Sequence, residues 1–164
     1  MKMRLIIALA VVAVFFAAVA KAGPLDFVRD QLGVNATNYP FGSSPSAFPE
    51  FQQVNVVNPS PAEALYEYDL PPKPGPTRDL TTGIRLHFTN NKLDRIEIIM
   101  GGPERNHKLT AEFAKLSGID VKTITVGKPY EYSDGQYKLT FGSSAYCFPF
   151  EVVIFGLTKV ETPK

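Results

Sequence analysis

The stretch Val126–Gly156, VGKPYEYSDGQYKLTFGSSAYCFPFEVVIFG, decides the fold, because its apolar residues recur with a period of two between residues that favour turns. Asp134-Gly135 fits a two-residue hairpin turn, which needs positive φ at both central positions. Pairing around it sets Ser133 opposite Gln136, Tyr132 opposite Tyr137, Glu131 opposite Lys138 and Tyr130 opposite Leu139. Tyr130, Tyr132, Tyr137, Leu139 and Phe141 then share one face, and Glu131 and Lys138 form an ion pair on the other. Gly142–Ala145 reads as a loop. Beyond it Phe148, Phe150, Val152 and Ile154 alternate onto the aromatic face, with Cys147 on the opposite one. Three strands with one continuous apolar face need a cover.

A fainter copy of this pattern lies upstream in Gly83–Gly102, GIRLHFTNNKLDRIEIIMGG. A two-residue turn at Asn90-Asn91 would set Leu86 against Arg95 and Ile84 against Glu97. A three-residue loop, Asn90-Asn91-Lys92, pairs Leu86 with Ile96, Ile84 with Ile98 and Arg85 with Glu97, and is the register expected, because side-chain faces specify register more strongly than turn statistics. His87 then sits on the polar face opposite Arg95, as an exposed histidine.

Two helices are expected as the cover. Pro24–Leu32 starts with proline, carries Asp26 in its first turn and stops at Gly33; Leu25, Val28 and Leu32 form its stripe. Asn106–Ser117 follows the break at Gly101-Gly102-Pro103, with Leu109, Phe113 and Leu116 on one side and Gly118 as its stop. His107 falls just ahead of it, in a loop. Gln52–Val57, Ala64–Leu70 and Val121–Val126 are further strand candidates, and Gly156–Lys164 is a polar tail. Tyr39–Arg78 holds nine prolines, and Pro71–Pro76 within it is a stiff polyproline-type spacer.

The fold class is therefore α+β: an antiparallel sheet of hairpins covered on one face by two short helices. The pieces line up as two rounds, 23–102 with a proline-rich insertion and 103–164, together making one domain. Tyr66-Glu67-Tyr68 in the first answers Tyr130-Glu131-Tyr132 in the second. Internal duplication and chance recurrence of short helix–glycine–strand patterns both account for this.

Residues 1–22 have the form of a signal peptide: basic Lys2 and Arg4, an apolar run of sixteen at Leu5–Ala20, and the small-x-small site Ala20-Lys21-Ala22. A membrane span needs roughly 20 apolar residues. No cysteine lies near the cleavage site for lipid attachment. Without residues 1–22 the chain has 142 residues, with fourteen basic against sixteen acidic, net −2. That balance, with no basic run, argues against nucleic acid or an anionic membrane as partner. The single cysteine, Cys147, leaves packing alone to hold the fold. Asn35-Ala36-Thr37 matches a glycosylation acceptor that matters only in a eukaryotic secretory pathway.

Gly127-Lys128-Pro129-Tyr130, Asp134-Gly135 and Leu139-Thr140-Phe141 resemble the small secreted modules related to beta-lactamase inhibitor protein and the outer-membrane assembly lipoproteins. The resemblance covers about thirty residues. It implies helices preceding a curved antiparallel sheet, sometimes as a tandem pair, whose exposed face or loops bind another protein. The chain departs from the inhibitor in lacking paired cysteines and tryptophan, and from the lipoproteins in lacking the lipidated cysteine. No binding residue carries over.

Catalytic chemistry is thin. There are only two histidines, His87 and His107, and no metal-ligand spacing, so no cofactor or metal is expected. Ser143 and Ser144 lack the strand–turn–helix setting of an activated nucleophile, and Cys147 has no cationic neighbour. What remains is the outward sheet face: Arg85, His87, Arg95, Glu97, Glu131, Lys138, Thr140 and Glu151, with Tyr146, Phe48 and Phe51 as aromatic anchors from flanking loops. The expectation is a non-catalytic binding module, exported to the periplasm or beyond, that engages another protein as an inhibitor, immunity factor or envelope accessory. Its rivals are a secreted hydrolase using His87 and a carrier of small apolar ligands.

Overall fold

The structure, a computed structural model, describes residues 22–54, 63–69, 83–147 and 150–160, with backbone alone for 67–69, 144–147, 150 and 151. The proposed signal peptide up to residue 21, the polyproline stretch Pro71–Pro76, Phe148 and the side chain of Cys147 lie outside the described residues. The elements are α1 (Pro24–Asp30), β1 (Gln52–Val54), β2 (Glu63–Asp69), β3 (Gly83–Thr89), β4 (Lys92–Gly101), α2 (Pro103–Ser117), β5 (Tyr130–Ser133), β6 (Tyr137–Cys147) and β7 (Phe150–Lys159). All seven strands form one antiparallel sheet in the order β1-β2-β3-β4-β7-β6-β5. The sheet and its two helices make an α+β fold. The order reads the same inward from either side: β2-β3-β4 meets β5-β6-β7 at the central pair β4–β7.

Both hairpins keep the expected faces and change the expected turns. Between β3 and β4, Asn90 and Asn91 both take positive φ, 51° and 64°, which makes the two-residue turn that the face argument rejected. The extra residue sits instead in a bulge after His87/Phe88, where Phe88 faces Leu93 and His87 faces Arg95, so Asp94 has no opposite number. Beyond the bulge the expected pairs hold: Leu86 with Ile96, Arg85 with Glu97, Ile84 with Ile98. Between β5 and β6 the turn centres on Gly135-Gln136, one residue later than expected, with Asp134 N–H donating to Tyr137 O at 3.2 Å. Asp134 Oδ1 holds it by accepting from Gln136 and Tyr137 N–H at 2.9 and 2.8 Å. Each partner moves by two: Tyr132 faces Leu139, and Tyr130 faces Phe141. A shift of two leaves every side chain on its face.

Proline opens α2 at Pro103 rather than breaking the chain there, because its missing N–H costs nothing in the first turn. His107 is consequently an exposed helical residue, not part of a loop. Gly118, at φ +75°, ends the helix. The segment expected as a strand at Val121–Val126 is a 3-10 turn, Val121–Thr123, followed by irregular chain, with Val126 61% exposed. Asp120 caps that turn through Lys122 N–H at 3.0 Å. The Tyr130 hydroxyl then accepts from Thr125 N–H at 3.1 Å and donates to Thr123 O at 2.7 Å. One phenol thus supplies the partners that a neighbouring strand would have supplied.

The expected loop at Gly142–Ala145 is strand, as is the start of the expected tail: β6 runs through to Cys147 and β7 to Lys159. The lengthening also corrects the inner face of β7. Val153, Phe155 and Leu157 are buried, whereas Val152 and Ile154 are half-buried on the opposite side. FEVVIFGLTK is apolar on both alternations, unlike the clean in/out pattern usual in an antiparallel strand with one open face, so period alone could not choose. The core lies between the sheet and α2, where Phe113 stacks on Phe141 at 5.0 Å and 23°, and Phe155 packs against Phe27, Phe113 and Phe141. Such ring pairs add about 0.5–1.5 kcal/mol each beyond area burial. The cover is not helices alone. Residues 34–51 carry two 3-10 turns across the same face, and Phe48 packs against Phe88 and Tyr39. Phe48 and Phe51 are therefore buried core residues and not exposed anchors.

Phe155→Ala is expected to cost about 3–5 kcal/mol in urea unfolding, as large core truncations do. Ile154→Ala next to it is expected to cost about 1 kcal/mol. The opposite ranking would put the other face of β7 inside.

Candidate functional site

Alternation along five neighbouring strands lays out the uncovered face in rows. Pairing across the sheet aligns Arg85, Glu97, Gly156, Thr140 and Glu131 in one row, and His87, Arg95, Thr158, Lys138 and Ser133 in the next. The expected residues divide into two groups. Arg85, His87, Arg95 and Glu97 sit together on β3 and β4. Glu131 and Lys138 sit on β5 and β6, four and three strand spacings from β3, or roughly 19 and 14 Å. Tyr146 and Glu151 belong to β6 and β7, but their side chains lie outside those described.

Glu97 is the hub of the first group. Its side chain is 13% exposed, with Oε1 2.7 Å from Arg95 Nη2 and Oε2 3.1 Å from His87 Nε2. Burial pushes its carboxyl up; the hydrogen bond from His87 and the charges of His87, Arg95 and Arg85 outweigh that, and the group ends below its ordinary value. His87 is thus a half-buried, carboxylate-paired side chain and not the exposed histidine expected. A histidine bonded to a carboxylate is half of a general-base arrangement. The other half would be a hydroxyl or thiol nucleophile beside it, and the hydroxyls of its row, Thr158 and Ser133, stand two and four strand spacings away, roughly 10 and 19 Å.

Gly156 was unremarked in sequence and is what lets this group lie flat. A Cβ there would stand 2.5 Å from Thr140 Oγ1 and 2.9 Å from both Nε and Nη2 of Arg95. The Arg95 guanidinium therefore lies across bare backbone with Glu97 Oε1 holding the same Nη2 that meets Gly156, and Thr140 Oγ1 donates to Gly156 O at 3.1 Å. Only glycine permits so close an approach in mid-strand. The Glu131–Lys138 pair also forms, at 3.4 Å, but both partners are exposed, so it contributes little.

Beside the charged rows the same face turns apolar. Ile99, Ile154 and Val152 are half-buried there, among Gly83, Gly101 and Gly142. Sequence reasoning missed this strip because it had assigned Val152 and Ile154 to the core. Elsewhere, a cleft of about 240 Å³ opens between α1 and α2, lined by Phe27 and Leu116 with Asp26, Asp30, Glu112 and Lys115. Among the described residues no three His, Cys, Asp or Glu side chains are grouped as metal ligands would be, and no helix is long and apolar enough to cross a membrane. No family model, curated protein or solved structure matches the chain.

Because the folded pKa of Glu97 is depressed, its stabilisation is present above the ordinary value of 4.5 and is lost as pH falls through the folded value. Glu97→Gln is therefore expected to lower stability by about 1–3 kcal/mol at pH 7. The two urea curves should converge at acid pH. A gap that persists below the folded pKa of Glu97 would show that its charge is not the source.

Proposed function

We propose that the protein is an exported, non-catalytic binding module that engages another protein through the uncovered sheet face, in the manner of an inhibitor, immunity factor or envelope accessory. One observation carries the reading. A half-buried ionic group, held rigid by Glu97 and the Gly156 slot, lies on the same flat surface as the apolar strip of Ile99, Ile154 and Val152. Fixed guanidinium groups beside an apolar patch are what a protein partner needs: anchors to desolvate, and charges that set its register. The apolar-carrier reading is less well supported, since four phenylalanine rings occupy the space between α2 and the sheet. Export rests on the leader-like first 22 residues, and the inhibitor-like resemblance of the β5–β6 hairpin points the same way.

A photoreactive residue at position 154 or 99, in the native host, is expected to crosslink one specific protein, while the same residue at exposed Lys108 on α2 is not. Arg85→Glu should reduce that adduct about tenfold, the equivalent of ~1.4 kcal/mol. Equal labelling from position 108, or no effect of the charge reversal, would remove the sheet face from consideration. The hydrolase alternative predicts turnover that vanishes in His87→Ala.

A further inference from the structure

We propose that removal of residues 1–22 creates at Gly23 an α-ammonium group that seats between two carboxylates, Asp26 and Asp134, so that processing completes the junction between α1 and the β5–β6 turn. The inference rests on the first 22 residues being a cleaved leader.

In the uncut chain Gly23 N–H donates to Asp26 Oδ2 at 3.1 Å. Asp134 approaches the same residue. A Cβ on Gly23 would stand 2.9 Å from Asp134 Oδ2 and 3.9 Å from Asp26 Oδ2, so both acidic oxygens lie close to the bare Cα of Gly23, one bond from its nitrogen. Asp134 Oδ1 is committed to the turn through Gln136 and Tyr137 N–H, while Oδ2 is the oxygen turned toward Gly23. Gly23 has an ordinary negative φ of −85°, so what its missing side chain supplies here is room for the Asp134 carboxylate and not backbone freedom.

An amide nitrogen has one hydrogen, which goes to Asp26. Hydrolysis of the Ala22–Gly23 bond by a leader peptidase puts the hydroxyl of water on the Ala22 carbonyl carbon and a hydrogen on the Gly23 nitrogen. At neutral pH the new amine takes up a further proton, and the new acid loses one. The ammonium then has three donors and a full charge, enough for both carboxylates. A cation at the positive end of a helix is unfavourable, and two carboxylates offset that. The other groups near this point are Arg29, which shares Asp26 through Oδ1 at 3.0 Å, the Tyr132 hydroxyl, 3.5 Å from Ala22 O, and Glu112 and Lys115 across the cleft.

The test uses the full chain exported from a bacterial host. Intact mass gives the new terminus, and the rate of pulse acetylation of its α-amine against pH gives its apparent pKa. The expected results are a terminus at Gly23 and an apparent pKa above the ordinary range of roughly 7.7–8.0. Asp26→Asn and Asp134→Asn should each bring the value down. Gly23→Ala, which leaves both carboxylates but blocks the approach of Asp134, should do the same, and this variant covers any failure of the others to fold. A terminus elsewhere would overturn the leader reading and this proposal with it. A Gly23 terminus with an ordinary pKa, unmoved in all three variants, would overturn the seat alone.

Discussion

The structure depends on the pairing of β4 with β7. These two strands are far apart in sequence, yet they join the two halves of the sheet, and their inward residues are all buried to within 2% exposure: Ile96, Ile98 and Met100 on one, Val153, Phe155 and Leu157 on the other. Neither hairpin can bury its apolar face alone. Side by side they present one surface wide enough for α1, α2 and residues 34–51 to cover, and the rings of Phe27, Phe113, Phe141 and Phe155 interlock where the cover meets the join.

The same pairing shapes the other face. A strand in mid-sheet cannot be polar on one side without placing those polar groups beside two neighbours, and β4 and β7 divide the task unequally. β4 contributes Arg95 and Glu97, while β7 contributes Gly156 and Thr158, so the bulk comes from one strand and the space from the other. Arg95 can then lie down over β7 rather than stand in solvent, which lowers its freedom and lets it hold Glu97 at 2.7 Å. A guanidinium already fixed in place loses less entropy when a partner arrives. The ionic group on this face is ordered by the chain's own contacts.

Much of this was legible in sequence because period-two alternation reports faces directly. The inward sets of β3, β4, β5 and β6, the Arg85–Glu97 and His87–Arg95 pairs and the start of α1 all follow from it. It failed wherever two alternations were equally apolar or two turns equally plausible. In β7 both Val152/Ile154 and Val153/Phe155/Leu157 qualify, and only the strand's continuation through Leu157 decides between them. At Asn90-Asn91 the turn chemistry and the face pattern were both right. A bulge at Asp94 reconciles them, and no local signal announces a bulge. The Glu97 hub was half legible: its neighbours across the hairpin were, but the Gly156 slot arrives from sixty residues away in the chain and exists only once β4 meets β7.

The way the sheet ends bears on the proposed use of its face rather than its edges. Its outer strands are short, three residues in β1 and four in β5, and both present polar side chains such as Gln52, Gln53, Glu131 and Ser133. Short polar edges are poor templates for another strand. Where β6 continues past β5, Gly127 N–H reaches across to Ser143 O at 2.9 Å and occupies the first open position. Strand addition is therefore disfavoured along β1 and β5, and the inner face is filled by the core. A partner that recognises this sheet has to approach it broadside, across the rows centred on Glu97 and Gly156.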